Sequence, residues 1–163
     1  DYESVSVAGS FHVTLVKGNE GKISIKGEEN IIAHIIVETK NGDLQIRTEK
    51  GYNLQPSKGK KIEITVPVEE VEKVNLAGSG DIVGDFTLKA TNFKTSVAGS
   101  GDIKAFELVY ENTKVTISGS GDIKVNCTEF IEARIAGSGD IEYKGNPKKV
   151  DAKVAGSGTI KMI

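Results

Sequence analysis

The sequence predicts an all-β protein, a single-stranded, right-handed parallel β-helix with coils of about 20 residues. The first reason is a repeat: the phrase G-S-G-[DT]-I recurs with its first glycine at positions 78, 99, 119, 137 and 156. The second reason is that apolar and polar residues alternate on both sides of each phrase, which is typical of half-buried strands. The third is the spacing, because successive phrases begin 21, 20, 18 and 19 residues apart. A period that varies in this way disfavours the more uniform left-handed hexapeptide helix.

The first 70 residues are less regular and predict irregular coils with an antiparallel portion. Val7–Val13 (VAGSFHV) is a worn copy of the repeat, and Gly27–Ile32 suits one helical turn. Val37–Thr48 predicts a hairpin, because its Asn41–Gly42 pair favours a type I′ turn between alternating strands. Lys60–Pro67 predicts a strand that ends before the proline. We expect this portion to shield one end of the coil stack.

Residues 71–163 predict regular coils, so the whole chain, 1–163, is expected to form one β-solenoid domain. Each coil has room for three strands of four or five residues and their corners. Stacking in parallel at about 4.8 Å would align like residues of successive coils inside the solenoid. The residues expected to form one such interior ladder are Leu76, Val97, Ile117, Ile135 and Val154.

The repeated phrase itself predicts a sharp corner. Glycine at two positions permits a positive φ, and the serine between them could stack its hydroxyl along the corner. The residues of this structural turn motif are Gly78, Ser79, Gly80, Gly99, Ser100, Gly101, Gly119, Ser120, Gly121, Gly137, Ser138, Gly139, Gly156, Ser157 and Gly158.

Four aspartates follow these corners and are expected to stack in a column: Asp81, Asp102, Asp122 and Asp140. Neighbouring carboxylates at strand spacing would repel one another by about 0.9 kcal/mol in water-like dielectric. Hydrogen bonds from turn N–H groups could offset this repulsion, and Lys104 and Lys124 could lean across the corner to help. The alternative is a cation ladder, since Ca²⁺ favours carboxylate oxygens. The phrase returns only once per coil, so no metal is expected.

Composition and motifs argue against several other functions. The net charge of −2 gives no basic face for nucleic acid. No lysine follows the glycines as a phosphate-binding loop requires, so no cofactor is expected. His12 and His34 have no Ser or Cys partner at motif spacing, and Cys127 is expected to be a small buried hydrophobic residue. The chain is therefore predicted not to be an enzyme, and its basic run of Lys58, Lys60 and Lys61 is expected in a solvated loop.

The G-S-G-D-I repeats resemble the bacterial family of auto-transporter adhesin, head GIN domain proteins, found largely in Bacteroidota. The N-terminal segments VSVAGSFHVTLVKG, ISIKGEENIIAHIIVETKNGDLQIRT and IEITVP match the family in the same order, so the resemblance covers nearly the whole chain. It implies an exported domain in the periplasm, at the outer membrane surface or outside the cell, and no catalytic residues. Two departures, Phe11–His12 in the first copy and Thr159 in the last, interrupt any site running along the whole corner.

These observations leave three functions open. The first is a non-catalytic, adhesin-like binding module for an unknown surface ligand, either a glycan or a protein. The second is a structural role in the cell envelope, in which an open final coil (GTIKMI) makes a homo-oligomer. The third and weakest is a glycan-active enzyme, because no cluster of acids is evident. No stretch has the length of a membrane span, and a signal segment is expected outside this sequence.

Overall fold

Strands dominate the part of the chain that the structure, a computed structural model, describes: residues 2–19, 21–51 and 62–163. The structure is 69% strand and 3% helix, which confirms the all-β class and the solenoid. The basic run at Lys58, Lys60 and Lys61 lies outside the described residues. The elements are β1 Ser4–Ala8, β2 His12–Lys17, β3 Ser24–Lys26, α1 Glu29–Ile32, β4 Ile35–Lys40, β5 Asp43–Thr48, β6 Glu63–Val68, β7 Lys73–Gly78, β8 Asp81–Gly84, β9 Leu88–Gly99, β10 Asp102–Gly119, β11 Ile123–Gly137, β12 Asp140–Lys144, β13 Lys149–Gly156 and β14 Thr159–Met162.

Parallel strands form one side of the solenoid, which we call the first face. Among the described residues its order is β5, β1, β7, β9, β10, β11 and β13. The strands are in register, so that Leu76, Val97, Ile117, Ile135 and Val154 pair in succession. The first four of these side chains are at most 3% exposed, as the predicted interior ladder requires. Val154 is 41% exposed because β13 is paired on one side only, with β11.

A second face continues from the first across the glycine corner. It consists of β6, β2, β8, the starts of β10 and β11, β12 and β14, all parallel. One isoleucine from each of four neighbouring coils stacks inside it: Ile82, Ile103, Ile123 and Ile141, each at most 1% exposed. The two faces therefore enclose a continuous aliphatic core, which burial of apolar area stabilises.

Three strands are much longer than the predicted four or five residues. β9, β10 and β11 span 12, 18 and 15 residues and run around a bend onto the first face, although the β10–β11 ladder is interrupted between Lys104 and Val109. The bend coincides with a register shift between Tyr110 and Asn112, where a bulge turns the strand. Inside the bend, Phe93 stacks on Tyr110 with ring centroids 4.4 Å apart, and the Tyr110 hydroxyl donates to the Val71 carbonyl. Long strands that run through the bend thus replace the separate short strands.

The coils are not stacked in chain order. β1 lies between β5 and β7, and β2 lies between β6 and β8. The segment that begins the chain therefore forms a coil between two later ones. The chain between the corners at Gly9 and Gly78 includes β5 and β6, which form the coil on the outer side of β1 and β2.

Antiparallel strands cover the end of the stack beside that coil. β4 pairs with β5 through the predicted hairpin, in which Asn41 and Gly42 have φ values of 52° and 77°. β3 pairs with the start of β6, and Ile31 of the predicted helical turn is only 5% exposed. The prediction that the strand at 62–66 ends before Pro67 is wrong, because β6 continues to Val68. β3 pairs with β6 only as far as Thr65. No described strand therefore lies beside Pro67 on that side, where the N–H that proline lacks would be needed.

Candidate functional site

The glycine corner joins the first and second faces in every copy of the repeat. The first glycines have φ values from +123° to +135°, a region that side chains rarely adopt. At Gly99, with φ +124°, an added Cβ would lie 2.5 Å from the Gly78 carbonyl oxygen of the neighbouring coil. The second glycines, such as Gly101, lack a positive φ, so that part of the prediction is wrong. They are required instead because a Cβ there would approach a neighbouring backbone oxygen closer than 3.0 Å.

Backbone hydrogen bonds tie each corner to the one beside it. The N–H groups of Ser100 and Gly101 both donate to the Gly78 carbonyl, at 3.1 and 3.0 Å. The same pattern recurs in the next coils, where Ser120 and Gly121 donate to Gly99. The serine side chains of these corners are exposed. Close backbone stacking therefore makes the corner rigid.

Three of the four aspartates in the column after the corners accept N–H groups from the next coil, whereas the N–H of Asp102 donates to the Gly80 carbonyl and not to Asp81. Asp102 accepts from the N–H of Asp122 at 3.0 Å, and Asp122 accepts from the N–H of Asp140 at 3.0 Å. Asp140 accepts from the N–H and the hydroxyl of Thr159, at 3.1 and 2.9 Å. Such bonds to a carboxylate are charge-assisted and offset the repulsion along the column.

The two departures from the repeat fit the ends of this column. His12 takes the aspartate position in the first copy, and its Nδ1 lies 3.4 Å from Asp81 Oδ2. Thr159 takes it in the last copy and donates to Asp140. The expected help from Lys124 is absent, because its Nζ lies 4.0 Å from Glu142 and 5.9 Å from the Phe106 ring centroid. The Lys124 side chain therefore lies along the second face, beside Glu142 and the Phe106 ring, and not across the corner.

Metal-binding and nucleophilic chemistry gain no support from the residues that can be described. Within those ranges no three His, Cys, Asp or Glu side chains converge as a metal site. His34 Nδ1 lies 3.0 Å from Glu49 Oε2. Cys127 is fully buried, as predicted, so its thiol cannot reach a substrate in solution.

The outer surface of the first face carries an ordered row of polar side chains. Ser96 Oγ donates to Asn75 Oδ1 at 2.7 Å, and Asn75 Nδ2 lies 3.5 Å from Ser6 Oγ. Ser6 Oγ in turn donates to Asp43 Oδ1 at 3.0 Å. Beside the row is a shallow groove of about 250 Å³. Its small residues nearest the glycine corner are Ala8, Ala77 and Ala98.

An ion pair continues the row towards the last strand. Arg134 Nη2 donates to Asp151 Oδ2 at 2.9 Å and lies 3.7 Å from Glu132 Oε1. The hydrogen bond from Arg134, reinforced by its charge, lowers the pKa of the Asp151 carboxyl. The row was missed in the sequence because its residue types differ. Alignment of the repeats on the first glycine would have found it at one constant offset.

Comparison with known proteins agrees with this architecture. The family described as "Putative auto-transporter adhesin, head GIN domain" matches residues 1–104 and 89–147. No curated protein matches the chain.

Solved structures with the same fold come from several bacteria. A protein of Bacteroides fragilis described as a putative adhesin is 25% identical with a TM-score of 0.60, covering 100% of this chain and 93% of that one. A Parabacteroides distasonis protein described as a putative lipid binding protein is 21% identical with a TM-score of 0.56, with the same coverage. A Clostridium sporogenes protein described as a putative cell adhesion protein is 21% identical with a TM-score of 0.51, covering 99% and 92%.

No helix in the described ranges combines the length and hydrophobicity that crossing a bilayer demands. The glycine-cornered solenoid, the order of the N-terminal segments and the family match lead to one conclusion. The chain belongs to the auto-transporter adhesin, head GIN domain family.

Proposed function

We propose that this chain is a non-catalytic, adhesin-like binding module of the cell envelope that binds its ligand on the outer surface of the first face. The observation that carries the proposal is the row of polar side chains on strands in register. Ser6, Asn75 and Ser96 contact one another across three neighbouring strands. A binding surface whose side chains are already ordered loses less conformational entropy when a ligand arrives.

The scaffold suits such a role. Strands held by close backbone stacking keep the outer surface flat and extended, and repetition lets one ligand make the same contact several times. The groove beside Ala8, Ala77 and Ala98 offers a place where a narrow ligand could lie against the backbone. Membership in an adhesin family supports a location outside the cytoplasm, at the cell surface or in the periplasm.

The test is capture of envelope components by the immobilised chain. Ala98→Arg would fill the groove with a long side chain, and Ala155→Arg would place the same side chain on the last strand, outside the groove. We expect the unmodified chain and Ala155→Arg to retain ligands from a glycan array or a pull-down, and Ala98→Arg to lose them. Equal capture by both variants would contradict the use of this surface, and no capture by the unmodified chain would contradict a binding role.

A second candidate is assembly with another copy through the last coil. It is favoured by four exposed apolar side chains there: Val150, Val154, Met162 and Ile163, with exposures of 44%, 41%, 54% and 64%. The opposite end of the core is covered by Ile31, so a head-to-tail stack would bring an apolar surface against a covered one. Pairing of two last coils, which gives a closed dimer, is therefore the expected form.

Sedimentation equilibrium tests the assembly. We expect a dimer that Val154→Lys dissociates, because a charge would be buried in the contact. Lys161→Glu, a control on the same coil, should leave the dimer intact. A chain that stays monomeric at high concentration would remove this candidate.

A further inference from the structure

Three lysines occupy one column on the first face, at the edge opposite the glycine corner. Lys73 of β7 pairs in register with Lys94 of β9, which pairs with Lys114 of β10. Neighbouring strands lie about 4.8 Å apart, so three ammonium groups stand on adjacent rungs. Like charges directly opposite one another destabilise a sheet. A negative charge beside the column would therefore reduce this repulsion.

The chain supplies that charge at one end of the column only. Lys114 Nζ lies 3.5 Å from Glu132 Oε2, a carboxylate that also lies 3.7 Å from Arg134. Among the residues that the structure describes, Lys73 and Lys94 have no ion-pair partner, and both are exposed. Two of the three positive charges are thus available to a ligand.

The column lines a depression of about 440 Å³ that contains other kinds of recognition groups. Asn112 Nδ2 donates to Asn92 Oδ1 at 3.2 Å, which leaves the Asn92 amide N–H groups free to donate. Phe130 is half-buried on the same wall, with Lys149 Nζ 5.3 Å from its ring centroid.

The lining of the depression also includes two acids, Glu72 and Glu132, of which Glu132 contacts Lys114 and Arg134. The unpaired cations, the carboxamides and the aromatic ring can bind acid groups, hydroxyls and the apolar side of a sugar ring.

We propose that this depression, the lysine cleft, binds a linear acidic glycan that runs along the column, across the strands. The inference rests on the proposed binding function and adds a second site on the first face, separate from the groove beside Ala98, with its own ligand class. Successive lysines would pair with successive acid groups of the chain, Asn92 would donate to hydroxyls, and a sugar ring would pack on Phe130.

Charge elsewhere on the same face favours a narrow polymer over an anionic membrane. β7 runs from Lys73 to the corner at Gly78, five steps of strand rise or about 17 Å. The first face carries acids in the same column, because Glu132 pairs in register with Lys114 and Asp151 pairs with Glu132. A flat anionic bilayer lying on the first face would cover these two acids together with the lysines and be repelled by the acids. A short stretch of acidic polysaccharide seated on Lys73 and Lys94 would stop before the two acids.

The test uses the full chain with tetragalacturonate, which carries one carboxylate on each sugar, measured by calorimetry at low ionic strength. Lys73→Ser/Lys94→Ser removes the two unpaired charges. Lys104→Ser/Lys161→Ser removes two exposed lysines from the second face and is the matched control. A neutral tetrasaccharide and vesicles of phosphatidylcholine with or without phosphatidylglycerol complete the comparison.

We expect the unmodified chain to bind tetragalacturonate and not the neutral sugar, with affinity that falls as salt rises. Binding should weaken at least tenfold in the cleft variant and by less than twofold in the control. Equal weakening in both variants, or binding to the anionic vesicles in place of the sugar, would overturn the proposal. An unmodified chain that captures envelope components yet ignores tetragalacturonate would also overturn it, while leaving the proposed function standing.

Discussion

Replacement of Gly99 by alanine should destabilise the solenoid more than an ordinary surface mutation does. Its φ of +124° costs a side chain about 2 kcal/mol. The new Cβ would lie 2.5 Å from the Gly78 oxygen, so the coils must separate. Separation weakens the hydrogen bonds from Ser100 and Gly101 to that oxygen, each worth about 1 kcal/mol. The sum is about 4 kcal/mol, a large part of the stability of a typical domain.

Urea unfolding followed by circular dichroism measures this loss. In a thermal scan, 4 kcal/mol corresponds to a fall in Tm of about 10 °C for a chain of this size. Two controls separate the causes. Gly21 has a φ of +115°, and no atom of the described residues lies within 4 Å of an added Cβ, so Gly21→Ala should lose only the backbone contribution of about 2 kcal/mol. Gly101→Ala has no positive φ but a Cβ closer than 3.0 Å to the Gly80 oxygen, and it isolates the close approach.

The losses of unfolding free energy in Gly99→Ala and Gly21→Ala, compared with each other, test whether close stacking of the corners requires glycine. If both lose the same stability, close stacking of the corners does not select glycine, and the reasoning is refuted. If Gly101→Ala costs nothing, the coils are free to separate at the corner.

Three further predictions address the core and the titrating groups. Ile117→Ala should cost about 3 kcal/mol by urea unfolding, because it leaves a cavity in a fully buried ladder; a loss below 1 kcal/mol would show a loose core. Burial, with a smaller contribution from Glu72, raises the pKa of Tyr110. Its phenolate absorbance should therefore appear far above the ordinary pKa of about 10, and stability should fall as pH rises past that value, where only the unfolded state loses the proton; ordinary titration would contradict the burial. Arg134→Ala should raise the pKa of Asp151 in an NMR titration, since the Arg134 hydrogen bond is the largest cause of its lowering. The stabilisation from this pair is present above the unfolded pKa and is lost as pH falls through the folded one; an unchanged Asp151 would disprove the link.

Local periodicity was enough to predict the repeated part of the fold. Val97 and Ile117 lie inside because alternation places every second residue on one side of a strand, and the repeat aligns them. Asn41–Gly42 predicted its hairpin because few other pairs suit a type I′ turn. The requirement for Gly101 was predicted for the wrong reason, since a close neighbouring oxygen leaves no pattern within one coil.

Contacts between distant segments could not be predicted. Nothing near Ser4 indicates that β1 would pair with both Asp43 and Lys73, because these partners lie in other parts of the chain. The contact of His12 with Asp81 depends on the same placement. The lysine column was within reach of sequence reasoning, since Lys73, Lys94 and Lys114 each precede a first glycine by the same interval.

The insertion of β1 between β5 and β7 has a consequence for how the protein folds. Its ladder joins residues 39 and 69 positions apart, whereas each later coil closes a loop of about 20. Longer loops lose more entropy on closing. We therefore expect the C-terminal coils to form before β1 completes its two ladders. During synthesis β1 can pair with β5 first, and its second ladder must wait until β7 has left the ribosome.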